Sequence, residues 1–326
     1  MSAVMAVAAV VAFSHRQTPP LAATRLPVEK TQFDSIVHSK AGLVIGGELG
    51  KLLYSGDDGK DWTAATVSPD RQALITQVVF AADGLRGLAI GHEGWILRTT
   101  DGGVHWKEVA FDEKNGEPFM GAANLGDKVW MVVGAFGRAL KSQDDGQTWQ
   151  PVTLPAGVED KHLNRIVGSA DGRQWLIVGE GGLVLRSNDG GQDWAVEPAF
   201  YNGSFYDAIA LPAGGWLVYG MRGNAFTQHA DGPWQKAEMP GPVSFFGHAV
   251  LPDGRILLVG QGSVVATSSD GGRHFSFSRA AGRATLTDIA LDASGTGWIA
   301  SDAGLQPYRV AEMSDASGTS VAGTKP

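Results

Sequence analysis

The stretch RTTDGGVHWKEV, residues 98–109, contains an aspartate, two glycines directly after it, and a tryptophan five positions later. The same pattern returns as YSGDDGKDW (54–62), KSQDDGQTW (141–149) and RSNDGGQDW (186–194). It returns with phenylalanine at the last position as TSSDGGRHF (267–275). An eroded copy, TQHADGPW (227–234), has Ala230 in place of the aspartate and retains Trp234. The chain is therefore a series of repeats.

A second series of small residues fixes the length of the repeat. Five stand seven positions before the aspartate, Gly223 stands seven before Ala230, and the last continues the series without a turn motif: Gly50, Gly94, Gly137, Gly182, Gly223, Ser263 and Gly304. Their spacings are 44, 43, 45, 41, 40 and 41 residues. Repeats of about 40–45 residues are typical of propellers.

One repeat, residues 75–110, predicts the unit of the fold. ITQVVF, LRGLAIG, WILRTT and VHWKEV are short strand-like segments separated by AADG, HEG and DGG turns. Four such strands make one propeller blade. The sequence predicts an all-β, seven-bladed β-propeller of four-stranded antiparallel blades over residues 24–310. The seventh blade has three clear strands, and TRLPVEK (24–30) is the candidate for a closing strand.

The repeated aspartates are interpreted as turn residues between the third and fourth strands. An aspartate side chain accepts hydrogen bonds from nearby backbone N–H groups, and glycine adopts positive φ at little steric cost. The tryptophan fills space against the neighbouring sheet. A structural role is therefore predicted for five aspartates: Asp57, Asp101, Asp144, Asp189 and Asp270.

Composition excludes several classes of function. The formal net charge of -8 argues against nucleic-acid binding, which requires a basic face. The chain has no cysteine, so disulfides and thiolate metal sites are excluded. No H-E-x-x-H or G-x-S-x-G motif is present. We expect no cofactor and no metal.

The two ends of the chain differ from the repeats. AVMAVAAVVAF, residues 3–13, is too short to span a bilayer and has the length of a signal-peptide core. Residues 1–23 are predicted as a signal peptide, although no Lys or Arg precedes the apolar run, and the alternative is a start further upstream. We expect a periplasmic or secreted, monomeric protein. Residues 311–326 are small and polar, and are predicted to form a disordered tail.

The pattern S/T-x-D-x-G-x-x-W resembles the Asp box, or bacterial neuraminidase repeat. The longer segments GLAIGHEGWILRTTDGGVHW (87–106) and WLIVGEGGLVLRSNDGGQDW (175–194) resemble the repeat of the photosystem II stability/assembly factor family, whose bacterial relatives also occur outside photosynthesis. The resemblance covers residues 33–310. It implies a non-enzymatic propeller that assists membrane-protein assembly, with a protein partner in a membrane or the cell envelope. The family's photosynthetic members are linked to a basic patch that is not evident in this acidic chain, so a photosystem role is not carried over.

A carbohydrate-active Asp-box propeller is the alternative. A sialidase needs three arginines and a Tyr–Glu pair; TRLP at Arg25 is the nearest match to its Arg-Ile-Pro motif, and no Tyr–Glu pair is evident. Glycosidases in general need two suitably spaced carboxylates, which spacing in sequence does not decide.

The connections between second and third strands are the predicted partner-binding surface, because loops carry function on a repetitive scaffold. Their variable positions include Glu48, His92, Glu93, Phe136, Glu180, Arg222 and Asp302. First strands add the channel residues Arg165, Tyr206 and Phe246, together with Phe33, Asp34, Asp207 and His248. As a set they predict a mildly acidic platform with aromatic anchors, suited to a protein or peptide. Solvated turns and simple channel packing are the alternative for each residue.

Overall fold

The computed structural model describes residues 27–114, 116–230 and 232–310, and within them the seven-bladed propeller is confirmed. The first strands of the blades pack against one another around a central channel. They are β1 (Phe33–Ser39), β6 (Ile75–Phe80), β10 (Phe119–Gly126), β14 (Leu163–Gly168), β18 (Phe205–Ala210), β22 (Phe245–Val250) and β26 (Leu286–Leu291). The predicted signal peptide (1–23) and tail (311–326) lie outside the described residues.

In six blades the second strand is buried almost throughout because a neighbouring blade covers each of its faces, and its sequence is accordingly a continuous apolar run. In the seventh blade only the last three residues of the second strand are buried. The second strands are β2 (Gly42–Gly47), β7 (Gly87–Gly91), β11 (Val129–Gly134), β15 (Trp175–Gly179), β19 (Trp216–Gly220), β23 (Ile256–Gly260) and β27 (Thr296–Ser301). The core consequently lies between blades: Leu88 and Ile90 of one blade, for example, pack with Trp130 and Val132 of the next.

The outer strands are shorter. The third strands are β3 (Leu52–Ser55), β8 (Ile96–Thr99), β12 (Ala139–Ser142), β16 (Val184–Ser187), β20 (Ala225–Gln228), β24 (Val264–Ser268) and β28 (Gln306–Arg309). The fourth strands are β4 (Thr63–Ala64), β9 (His105–Ala110), β13 (Gln150–Pro151), β17 (Ala195–Val196), β21 (Gln235–Lys236) and β25 (Ser276–Arg279). An extra strand, β5 (Thr66–Ser68), runs parallel to β9, so the second blade has five strands.

Six single-turn 3-10 helices connect second and third strands, and they define what we call the turn face of the propeller. They are Glu48–Gly50, His92–Gly94, Ala135–Gly137, Glu180–Gly182, Met221–Gly223 and Gln261–Ser263. The middle residue of each has a positive φ, from 52° at Phe136 to 65° at Gly181. This left-handed conformation directs non-glycine side chains such as Leu49 and Phe136, which are 56% and 54% exposed, toward solvent.

The five aspartate turns share one hydrogen-bonding pattern. The Ser or Thr hydroxyl two residues before the aspartate donates to the aspartate Oδ1 over 2.6–2.8 Å. The same hydroxyl accepts the N–H of the glycine that stands two residues after the aspartate. The aspartate Oδ1 accepts the N–H four residues on, over 2.8–3.1 Å. The geometry is that of a turn held by its own side chains.

The ring closes between the seventh and first blades without a strand from residues 27–30. These residues form a turn, so the predicted closing strand is wrong for this part of TRLPVEK, and residues 24–26 lie outside the described chain. Val28 accepts a backbone hydrogen bond from Leu305 (2.9 Å) and packs against it. The seam is completed by Thr287 Oγ1, which donates to the Phe33 carbonyl over 2.6 Å.

Candidate functional site

Every first strand contains a β-bulge directly after its first residue, where the register to the second strand shifts. A bulge bends the strand and re-aims one side chain. The seven bulge residues are Asp34, Thr76, Met120, Asn164, Tyr206, Phe246 and Thr287, and all seven line one cavity of about 410 Å³. Asp302 and Thr285 line it as well, which places it at the turn face. We call this cavity the mouth of the channel.

Three bulge residues join their blade to the following one. Thr76 Oγ1 donates to the Phe119 carbonyl over 2.7 Å, and Asn164 Nδ2 donates to the Phe205 carbonyl over 2.6 Å. Thr287 makes the equivalent bond across the seam. These three side chains have a structural role that accounts for their polarity.

A second layer of polar residues, one position further along the first strands, satisfies backbone donors at the inner edge of three sheets. The Val78 N–H donates to Ser35 Oγ (3.1 Å), and the Ala122 N–H donates to Gln77 Oε1 (2.7 Å). Across the seam, the Ile36 N–H donates to Asp288 Oδ2 over 2.9 Å. Unpaired edge donors are costly when buried, so these side chains stabilise the contact between blades.

Deeper in the channel, Asp207 is the centre of a charged cluster. Its carboxylate accepts hydrogen bonds from the Ala208 N–H (2.7 Å) and the Tyr219 hydroxyl (3.0 Å), and lies 3.0 Å from His248 Nδ1. Arg165 Nε is 3.4 Å from Asp207 Oδ1. Burial by itself would raise the pKa of Asp207, but the charges of Arg165 and His248 outweigh burial and lower it. Asp207 therefore stays ionised.

Asp288 is the opposite case. Burial raises the pKa of this carboxyl to about 6, although the Ile36 N–H and the charge of Arg165 act in the other direction. Asp288 and Asp207 line the far part of the channel, a cavity of about 790 Å³ that opens away from the turn face. The channel thus contains two buried carboxylates whose proton affinities differ because only one has close cationic partners.

The structure brings some of the predicted partner-binding residues together and separates others. Arg165, Tyr206, Phe246 and Asp302 all line the mouth, as does Asp34. Within this set, the rings of Tyr206 and Phe246 stack with centroids 5.1 Å apart and an interplanar angle of 24°.

The remaining predicted residues lie around the mouth. Glu48 and His92 are close enough to Asp34 to influence its pKa. Glu93 and Phe136 line a separate cavity of about 830 Å³ between the second and third blades. Glu180 and Arg222 line neither cavity among those formed by the described residues.

Three of the carboxylates predicted for the partner-binding surface have a backbone partner. Glu48 accepts the Gln32 N–H (3.2 Å), Glu180 accepts the His162 N–H (3.4 Å) and Asp302 accepts the Thr285 N–H (3.0 Å). Each partner lies in the link that leads into a first strand. These carboxylates therefore hold the inter-blade links as well as contributing charge to the turn face.

Four mouth residues were not predicted from the sequence: Thr76, Met120, Asn164 and Thr287. A signal was nevertheless present: each directly follows a large buried apolar residue that begins a first strand, as in Ile75–Thr76 and Phe119–Met120. Aligning the seven repeats at this position would have found the ring.

Two kinds of feature are missing from the part of the chain that the structure describes. Residues 27–114, 116–230 and 232–310 contain no cluster of three or more His, Asp or Glu side chains that could hold a metal ion. In the same ranges, no helix has the length and apolar character needed to cross a bilayer.

Comparison with known proteins confirms the resemblance predicted from the repeat. A family model described as photosynthesis system II assembly factor YCF48 matches residues 14–130. The chain is also similar to the photosystem II assembly lipoprotein Ycf48 of Synechococcus sp. (strain CC9902), with 25% identity over 126 residues. That match covers 38% of this chain and 37% of the lipoprotein, so it spans little more than a third of either.

Solved structures share the fold over most of the chain. A structure of YCF48 bound to D1 peptide has a TM-score of 0.69 at 19% identity, covering 91% of this chain and 99% of its own. YCF48 from Cyanidioschyzon merolae has a TM-score of 0.70 at 17% identity, covering 87% and 97%. The WD40 propeller domain of Doa1 has a TM-score of 0.64 at 14% identity, covering 85% and 92%. Since these identities are low, the structural likeness establishes the fold and no more.

Proposed function

We propose that this chain is a non-enzymatic propeller that binds a protein partner through its turn face. It serves as an assembly or accessory factor for a membrane or cell-envelope protein complex. The observation that carries the proposal is the likeness to YCF48, which has been solved with a D1 peptide bound and which shares the fold over 91% of this chain. A propeller of this type is thus able to present a surface to a peptide segment.

The turn face of this chain has features of a protein-binding surface. Phe136 and Leu49 are exposed on it, and large exposed apolar side chains are more common at interaction sites than on the rest of a protein surface. The stacked pair Tyr206–Phe246 lies at its centre. Aromatic side chains in partly desolvated pockets are frequent anchors in protein interfaces.

A periplasmic or secreted location belongs to the same proposal. It is supported by the apolar run at residues 3–13 and by the similarity to a Ycf48 that is a lipoprotein. A partner on the outer side of a cell membrane would be accessible from that location.

Site-specific photocrosslinking tests the proposal. A photoreactive phenylalanine analogue replaces Phe136 on the turn face, and in a matched control it replaces Val196, which is 48% exposed on the outer strand β17. We expect a defined membrane or envelope protein to be crosslinked through position 136 and not through position 196. Absence of any specific partner, together with turnover of a glycan panel, would replace the proposal with the carbohydrate-active alternative.

A further inference from the structure

The mouth contains four bulge residues that have no bridging role between blades. Thr76, Asn164 and Thr287 bond to the next blade, whereas Asp34, Met120, Tyr206 and Phe246 make no such bond within the described residues. The Tyr206 hydroxyl forms no hydrogen bond to any described residue, although the side chain is half-buried. Side-chain hydrogen bonds to the following blade therefore do not account for these four residue types at these positions.

Three of these residues, together with Asp302, give the mouth an aromatic side and an acidic side. Tyr206 and Phe246, on the fifth and sixth blades, stack on each other and line the aromatic side. Asp34 on the first blade and Asp302 on the seventh line the same cavity. The pKa of Asp34 is raised, first by burial and further by the like charges of Glu48 and Asp302, while Gln32 and His92 oppose the rise. These carboxylates are therefore crowded together.

Little positive charge inside the mouth balances them. Arg165 is the cationic residue among its lining side chains, and that guanidinium is paired with Asp207 deeper in the channel. A ligand that enters the mouth thus meets an aromatic surface and an excess of negative charge. Cations are attracted to both, since an aromatic face and a carboxylate each stabilise an ammonium or guanidinium group.

Resting on the proposed function, we propose that the mouth is a subsite for one lysine or arginine side chain of the protein partner. The aliphatic stem packs along Tyr206 and Phe246, and the cationic head lies at Asp34 and Asp302. A volume of about 410 Å³ accommodates such a side chain and part of its backbone. Long cationic side chains commonly bury an apolar stem in this way.

Methyl NMR with short peptides tests this chemistry directly. The probe is acetyl-Leu-Lys-Leu-amide, and its uncharged counterpart has norleucine in place of lysine. Met120 lines the mouth and reports binding, whereas Met131 is fully buried in β11 and acts as the internal control. We expect the Met120 methyl signal to shift saturably with the lysine peptide and affinity for the norleucine peptide to be about tenfold lower.

Three variants with the same change in charge distinguish direct contact with the lysine from a general effect of the protein's negative charge. Asp34→Asn and Asp302→Asn should each weaken binding of the lysine peptide about fivefold, as expected for partly exposed ion pairs. Glu113→Gln, at an exposed residue that lines the neighbouring cavity, should change affinity less than about twofold. Equal affinity for the two peptides, or an equal effect of all three variants, would overturn the inference.

The outcome is distinguishable from failure of the proposed function. If position 136 crosslinks a partner but neither peptide shifts Met120, the lysine subsite is overturned and the protein-binding function stands. If the lysine peptide binds as expected and no partner is recovered, the subsite stands and the assembly function does not.

Discussion

At the scale of single residues, Asp101 shows how one side chain holds a turn. Its Oδ1 accepts hydrogen bonds from the N–H groups of Val104 (3.2 Å) and His105 (3.1 Å) and from the Thr99 hydroxyl (2.8 Å). Burial pushes the pKa of Asp101 upward, but these donors and the His105 ring outweigh it, so the pKa is lowered. The carboxylate is therefore stabilised as an acceptor for local donors.

Replacing this acceptor should destabilise the fold without affecting the proposed interface. We expect Asp101→Ala to lower the free energy of unfolding by about 1 to 2 kcal/mol, because donors in the turn lose their partner. Asp101→Asn retains one acceptor oxygen and should cost less. Urea unfolding measures both values. A folded Asp101→Ala protein of full stability that no longer binds its partner would assign the aspartate to binding instead.

Asp288 should give the stability a distinct dependence on pH. Its pKa is about 6 in the folded protein and about 3.9 in an unfolded chain, so between these values the folded state holds more protons. Stability contributed by this group therefore rises as pH falls from 7.5 to 5.0. Relative to Asp288→Asn, the wild type should gain about 1 to 2 kcal/mol over this range. If the free energy of unfolding depends on pH in the same way in the wild type and in Asp288→Asn, the carboxyl does not become protonated in the folded protein over this range.

At the scale of elements, five of the six single-turn 3-10 helices have glycine with a positive φ at their third position, and the sixth has Ser263 with a φ of 59°. Gly182 has a φ of 74°, and a Cβ built there would lie 2.1 Å from the Tyr201 carbonyl oxygen. Gly172 also has a positive φ of 67°, but no atom lies within 4 Å of its Cβ position. A substitution at Gly172 therefore introduces backbone strain alone, whereas a substitution at Gly182 introduces strain and a steric clash.

Alanine at these positions should have unequal effects. Gly172→Ala should cost about 1 kcal/mol, the usual penalty of a left-handed residue. Gly182→Ala should cost about 3 kcal/mol or more, because the link at Tyr201 must also move. Thermal or urea unfolding of the two variants measures the difference. Equal losses of unfolding free energy in the two variants would mean that the segment at Tyr201 moves away from the new Cβ at no energetic cost.

The fold was predictable from sequence because its signals are local. The turn at Asp101 and the spacing from Gly50 to Gly304 are contained in the repeat itself, so they identify blades without knowledge of their arrangement. The seam was not predictable in this way, since residues 27–30 form a turn where a strand was expected.

The site was predictable only in part. Tyr206, Phe246 and Asp302 were identified from their places in the repeat, and the structure gathers them in the mouth. The cluster of Asp207, Tyr219 and His248 joins two blades and has no signature in sequence spacing. The bulges escaped prediction because regular alternation of side chains along a strand hides the extra residue.

At the scale of the whole molecule, charge on the turn face should affect how fast a partner arrives. Glu48, Glu93, Glu180 and Asp302 all lie in connections on this face, and the chain carries a net charge of -8. Interface charges near the rim act mainly on the association rate and its salt dependence. This face should therefore attract a basic partner segment over a distance.

Conversion of these four residues to amides tests the effect. We expect slower and less salt-sensitive association with the crosslinked partner, measured by surface plasmon resonance across a salt series. The melting temperature should change little, because an amide oxygen still accepts the N–H groups of Gln32, His162 and Thr285. If the wild type and the four-amide variant associate at the same rate at every salt concentration, the interface lies on another face.

Most side-chain hydrogen bonds between first strands run in the same direction around the ring, and the bond from Arg165 to the Met120 carbonyl runs in the other. Six of them pass from a residue to the main chain of the blade that follows, through Ser35, Thr76, Gln77, Asn164, Thr287 and Asp288. A circular permutant that opens the chain at another blade boundary preserves the order of blades, and with it every one of these pairings. Exchange of two neighbouring blades would still offer these side chains a main-chain group, but it would separate apolar side chains that fit only one neighbour, such as Leu88 and Ile90 against Trp130 and Val132. The blades are alike in architecture, yet they are not interchangeable parts.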